Sequence, residues 1–203
     1  SQKKSSSYYN LEGKFVFGAK DKALLLNIIE NGHESVLEHS MIIYKLDGIS
    51  RAVLQELSRH RISTSPSVKS TRFTLKELKD EESFDISSGF SIADDKYTRA
   101  CKYLVMTGIE DIDICSILAL ENVRKMIVKG YPNDKVKYCL PESYKTSGQY
   151  TFNVRSLRNL FKLRTSPAAL WEFREMAFKM YECLDDNYRL LCNDVIYKEN
   201  FSE

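Results

Sequence analysis

Apolar residues recur at helical spacing along most of this chain, and short β-branched or aromatic runs interrupt them. From Asp21 to Asn31, the residues Leu24, Leu25, Ile28 and Ile29 fall on one helical face, with Gly32 placed as a C-terminal cap. Met41 to Leu46 reads as a strand that enters a turn at Asp47-Gly48. Ser50 is an N-cap for a helix whose Val53, Leu54 and Leu57 face the core, and that helix delivers Arg59, His60 and Arg61 at its far end. Thr74 to Glu77 has capping-box spacing, and between Asp94 and Thr107 the residues Tyr97, Ala100, Cys101 and Leu104 share a face. A longer helix spans Asp111 to Lys129, ended by Gly130 and Pro132. Gln149 to Asn153 is a brief strand, and Asn153 then caps a helix over Arg155 to Leu163. Ser166-Pro167 starts what reads as the longest helix, through Trp171, Met176 and Met180 toward Tyr188. The pattern predicts a helix-rich α/β or α+β architecture with a modest sheet.

Composition narrows this. At 203 residues and 43% hydrophobic, a single domain with a real core is expected over 1–203, and the polar, Ser-rich opening within 1–20 reads as a flexible or atypical arm. Thirty basic against 28 acidic side chains leave a net charge of +2, so no global field draws the chain to nucleic acid or membrane. The odd set of cysteines at 101, 115, 139, 183 and 192, without a Cys-x-x-Cys pair, argues for a reducing cytoplasm rather than a disulfide framework. No apolar run has the length of a membrane span, and no signal peptide opens the chain.

The chemistry concentrates between Arg59 and Arg72. Arg59, Arg61 and Arg72 are planar forks able to grip phosphate bidentately, and Ser67, Ser70 and Thr71 add neutral hydrogen bonds. A metal site is not expected, because His33 and His39, with Glu34 and Glu38 between them, lack the spacing of a helical His-Glu-x-x-His site. His39 reads as a structural hydrogen-bonding residue. Trp171, Phe173 and Phe178 read as core, and Lys76 to Glu82 as a solvated helix and turn. No cysteine has a basic partner beside it in a motif block, and Ser70 has no general base, so no protein nucleophile is indicated.

The order Arg59-His60-Arg61, a Ser/Thr spacer, then Ser70-x-Arg72 resembles the signature of the flavin-dependent thymidylate synthases, with a spacer one residue longer than the family's. His33-Glu34-Ser35-Val36-Leu37-Glu38-His39 resembles the family's first block. Leu140 to Thr146, Asn153 to Leu157, and Leu170-Trp171-Glu172-Phe173-Arg174 look like its later blocks, all in the family's order. The likeness runs from about Asp21 to Tyr181, while the family's first strand lacks a counterpart in the polar arm.

That resemblance implies the thymidylate synthase-complementing protein fold, α/β (α+β) with a mainly antiparallel sheet. It implies reductive methylation of dUMP to dTMP, with 5,10-methylenetetrahydrofolate as carbon donor and FAD reduced by NADPH. By the resemblance, Ser35, His33, Arg59, His60, Arg61, Val68, Lys162 and Arg164 lie toward the flavin, Lys162 standing where the family often has Asn. Gln55, Glu56, Arg59, Lys69, Ser70, Thr71, Arg72, Lys145, Ser147 and Arg174 lie toward the nucleotide. Ser147 falls where the family frequently has a phosphate-binding arginine, and Lys145 restores the charge without the fork. Arg174 is the catalytic candidate, a guanidinium facing the uracil ring as hydride arrives at C6. The family also implies a cytoplasmic homotetramer with sites at subunit interfaces, and no nucleic-acid or membrane partner. Two alternatives stay open from the residues themselves. One is a single-stranded nucleic-acid module using Arg59, Arg61, Arg72, Arg155 and Arg158 beside Phe73 and Tyr150. The other is a flavoprotein relative whose catalysis Ser147 or the longer spacer between Arg61 and Ser70 has weakened.

Overall fold

The computed structural model describes residues 5–62, 64–86, 89 and 91–198. Ser1 to Lys4 of the polar opening and Ser63 of the Arg59–Arg72 run lie outside them. The elements in chain order are β1 (Tyr8–Tyr9), β2 (Phe15–Val16), α1 (Ala19–Glu30), a 3-10 helix (Glu34–His39), β3 (Met41–Ser50), α2 (Arg51–Leu57), β4 (Thr64–Val68) and α3 (Thr71–Thr74). A 3-10 turn (Leu75–Lys79) leads to α4 (Asp95–Ala100), α5 (Glu110–Val128), α6 (Asn133–Val136) and β5 (Lys145–Asn153), then to α7 (Val154–Arg164), α8 (Trp171–Glu182) and α9 (Asp186–Cys192). The result is a helix-rich α+β fold. β1 and β2 pair antiparallel, and a separate sheet has the strand order β3-β5-β4. Among the described residues no helix is long and apolar enough to cross a membrane.

Contacts divide the chain into two interleaved units, one drawn from Ser1–Tyr44, His60–Ser65 and Thr151–Glu203, the other from Lys45–Arg59 and Pro66–Tyr150. The second unit is built on α5, whose Ile117, Leu120 and Val123 are fully buried against Leu75, Leu78 and Phe84. Each such side chain contributes roughly 1.5 to 3 kcal/mol by leaving water. The carboxylate of Glu121 is buried beside them. It accepts from the Phe84 backbone N–H at 2.9 Å, Ser83 Oγ at 3.0 Å and Arg124 Nε at 2.8 Å. Burial pushes its carboxyl up, but the Arg124 guanidinium and the other donors outweigh that and hold it down at about 2. This clamp ties the chain at Ser83-Phe84 to α5.

In the first unit Leu37, Val154 and Leu191 form a core that Phe17, Leu25, Ile29 and Ile42 surround. Asn153 accepts from the Ser156 N–H at 2.8 Å and so starts α7, as its sequence position predicts. The described part of the Ser-rich opening is tied down by one carboxylate, since Asp21 Oδ2 accepts from Ser5 Oγ at 2.7 Å, the Ser6 N–H at 2.8 Å and the Ser7 N–H at 2.8 Å. Hydrogen bonds from Ser7 and Ser5 lower the Asp21 carboxyl to about 2.

Several elements differ from their sequence reading. β3 does not turn at Asp47-Gly48 but continues to Ser50, with Gly48 at a φ of 71° that favours glycine. Thr64 to Val68, part of the Ser/Thr spacer, is a strand at the sheet's edge, where proline is tolerated. Thr74 makes no capping box; its hydroxyl bonds the Thr71 carbonyl at 3.1 Å, and a 3-10 turn follows. The expected long C-terminal helix breaks at Cys183 and restarts at Asp185, whose carboxylate caps Asn187 at 2.9 Å and Tyr188 at 3.1 Å. Phe173 is buried as expected, whereas Trp171 is 39% exposed.

Candidate functional site

In the second unit α2 begins where Ser50 Oγ accepts from the Val53 N–H at 3.1 Å. Two more of its first-turn N–H groups, from Arg51 and Ala52, donate to the carbonyls of Tyr144 at 3.1 Å and Glu142 at 3.2 Å. The Leu-Pro block therefore caps the helix that carries Gln55 and Glu56. Gln55 Nε2 also donates to both Glu142 oxygens, at 2.9 and 3.0 Å, and Arg59 sits 3.1 Å from Glu56 across one turn.

β4 then brings the chain against β5. Gly148 makes the approach possible, because a Cβ there would lie 2.9 Å from the Ser67 carbonyl oxygen and 3.3 Å from Val68 Cα. The Lys69 N–H donates to the Ser147 carbonyl at 2.9 Å. Beside this junction lies a cavity of about 270 Å³ lined by four expected nucleotide residues, Lys69, Thr71, Lys145 and Ser147, and by Asp47 and Glu77. Lys69 Nζ is 3.5 Å from Glu77, Lys145 Nζ donates to the Cys101 carbonyl at 2.5 Å, and Ser147 Oγ donates to Asp47. That hydrogen bond from Ser147 holds the Asp47 carboxyl below the usual range. Because a carboxylate only accepts, the Ser147 hydroxyl is the donor in this pair. The cations at this cavity that can meet an anion are the ammonium groups of Lys69, Lys145 and Lys102. Ser70 and Arg72 are exposed, and the Arg72 carbonyl accepts from Asn133 Nδ2 at 3.0 Å.

In the first unit His60, Arg164 and Phe173 meet. Arg164, in the last turn of α7, donates from Nε to His60 Nε2 at 3.0 Å, so the imidazole accepts there and carries its proton on Nδ1. The same guanidinium lies 4.7 Å above the Phe173 ring centroid, and the His60 ring meets that ring edge-on at 5.8 Å. Arg61 and Lys162 are exposed, and Arg174 lies half-buried in α8 next to Phe173 in sequence. Ser35, His33 and His39 are exposed on or beside the 3-10 helix.

The sequence reading missed Asp47 and Glu77, the first taken for a turn and the second for a capping box, and nothing local marks either as a site residue. It also offered Arg155 and Arg158 as nucleic-acid grips. Arg158 is buried and clamped by Asp194 and Glu34, and Tyr150 is buried, so neither that fork nor that ring is available to a strand, while Arg155 bonds Glu38 and stays exposed.

The sequence model of the family described as thymidylate synthase complementing protein matches residues 2–188, and the chain belongs to that family. A flavin-dependent thymidylate synthase of Campylobacter jejuni is 45% identical over 183 residues, covering 90% of this chain and 84% of that protein. One from Wolinella succinogenes is 47% identical over 175 residues, covering 86% of this chain and 81% of its own length. A crystal structure of thymidylate synthase X from Helicobacter pylori with FAD and dUMP superposes with a TM-score of 0.82 at 40% identity, over 89% of this chain and 85% of that one.

Proposed function

We propose that this protein is a flavin-dependent thymidylate synthase that converts dUMP to dTMP, with 5,10-methylenetetrahydrofolate as carbon donor and NADPH as reductant of FAD. The observation that carries this is the family match over residues 2–188, which includes every block from His33 to Arg174. FAD needs donors for its diphosphate and a planar wall for its ring system. The exposed Arg61 and the Arg164–His60 pair against Phe173 fit those needs, so the residues present suit the group. When bound, the flavin supplies hydride.

The chain's own residues do the rest. Arg59, His60, Arg61, Val68, Lys162, Arg164 and Ser35 hold the cofactor. Lys69, Ser70, Thr71 and Arg72 hold the nucleotide with Lys145, and Gln55 and Glu56 orient it from α2. The support for Lys69, Thr71 and Lys145 is the cavity they share. Glu56 carries a negative charge and belongs with the uracil or sugar, away from phosphate. Arg174 stabilises the negative charge that develops on the uracil as hydride reaches C6. The protein acts as a cytoplasmic homotetramer with sites at subunit interfaces, in keeping with its five free thiols and the exposed Met41 and Ile43 on one face of β3. No nucleic-acid partner is called for. The test is turnover: purified protein given FAD, NADPH, methylenetetrahydrofolate and dUMP should release dTMP. Flavin reduction by NADPH without any dTMP would identify a relative that has lost the chemistry.

A further inference from the structure

The segment expected to face the flavin, His33 to Ser35, opens a six-residue 3-10 helix, Glu34–His39, that begins without a side-chain cap. Runs of 3-10 helix this long have poor internal hydrogen-bond geometry and depend on outside support. Here the support is visible. Leu37 is buried in the core beside Val154 and Leu191, and Glu34 accepts from Arg158 Nε at 3.0 Å. Arg158 is itself buried, its side chain 5% exposed, and α7 brings it there. Its other edge is held by Asp194, from Nη1 at 2.6 Å and Nη2 at 2.8 Å, and Nη1 also donates to the Leu191 carbonyl. A planar fork clamped along one edge has a fixed direction for the remaining Nε–H. The position of Glu34 is therefore set through Arg158 by Asp194, which lies beyond the last residue of the family match at 188.

We propose that Asp194 is a positioning residue for the flavin segment His33–Ser35, acting through Arg158 and Glu34. The proposal rests on the flavin reading above. Without the Asp194 carboxylate the buried guanidinium keeps only the Leu191 carbonyl on that edge and is less firmly aimed, and the exposed Arg155, whose Nε is 3.9 Å from Glu34, competes for Glu34. The helix then loses its anchor next to Ser35 while the core around Leu37 stays.

The test is FAD titration into the full-length chain, comparing wild type, Asp194→Asn and Glu121→Gln. Glu121 clamps the other unit, so its loss lowers stability without touching this network. Asp194→Asn should raise the Kd for FAD about tenfold, the worth of one charge-assisted bond, and saturating FAD should return turnover to within about twofold of wild type. Glu121→Gln should keep the wild-type Kd. An Asp194→Asn Kd within about twofold of wild type overturns the proposal, as does an equal weakening in Glu121→Gln, which would make the effect one of general stability. If Asp194→Asn does not fold, Glu34→Gln cuts the same chain of bonds from the flavin side, with the same rise expected and an unchanged Kd overturning the idea. A wild-type protein that takes up no FAD overturns the flavin reading, and this proposal with it.

Discussion

The arginines of this chain live under two opposite conditions. Arg158 and Arg124 have side chains 5% and 16% exposed, and each is forked onto a carboxylate, Asp194 for one and Glu121 for the other. Arg59 has a side chain 71% exposed, and Arg61 and Arg72 are exposed as well. A buried guanidinium holds the fold only while its partners stay in place, because an unpaired buried charge costs several kcal/mol. An exposed one adds little to stability even when paired, as Arg59 is with Glu56. Burial and pairing thus separate arginines that build the protein from arginines left available to a ligand.

The comparison breaks most visibly at Arg174, placed here with the ligand group. Arg174→Ala should lower kcat by about 10² to 10³, the usual effect of removing one group that stabilises transition-state charge, with assembly and flavin content unchanged. Turnover equal to wild type would return Arg174 to the structural set. On the structural side, Glu121→Gln removes a carboxylate whose folded value of about 2 lies well below the ordinary 4.5. By linkage that carboxylate contributes about 3 kcal/mol, fully present above pH 4.5 and lost as pH falls toward 2. Denaturant melts should therefore find the gap between wild type and Glu121→Gln wide at neutral pH and closing below pH 4.5; a gap independent of pH would contradict the clamp. The smallest expected effect is at Arg72. Arg72→Ala should raise the KM for dUMP about tenfold or more while the melting temperature stays put. An unaltered KM would take Arg72 out of the pocket, and a large fall in melting temperature would move it to the structural group.

How much of this the sequence disclosed depended on the range of the interaction. The caps at Ser50 and Asn153 were legible because a cap is a local event, a short polar side chain meeting an N–H three residues on. The order of the motif blocks was legible for the same reason. The break at Cys183 to Asp185 was not, since apolar spacing carries on from Met180 to Tyr188 and nothing in it marks where one helix hands over to the next. β4 was hidden by Pro66 and its hydroxyl residues, which are tolerated only because the strand lies at a sheet edge next to Gly148. Asp47 meets Ser147, and Glu34 meets Arg158, across a hundred residues or more. No local pattern announces such pairs, which is why Arg158, bonded to Glu34, could stand among the phosphate grips of the nucleic-acid alternative.

The central claim, that the exposed arginines and the Arg164–His60 pair serve a flavin and a nucleotide, is tested most directly by the visible absorption of the purified protein with FAD. Flavin bands that dithionite bleaches and that shift when dUMP is added are the expected result. A colourless protein that fails to take up added FAD would contradict it.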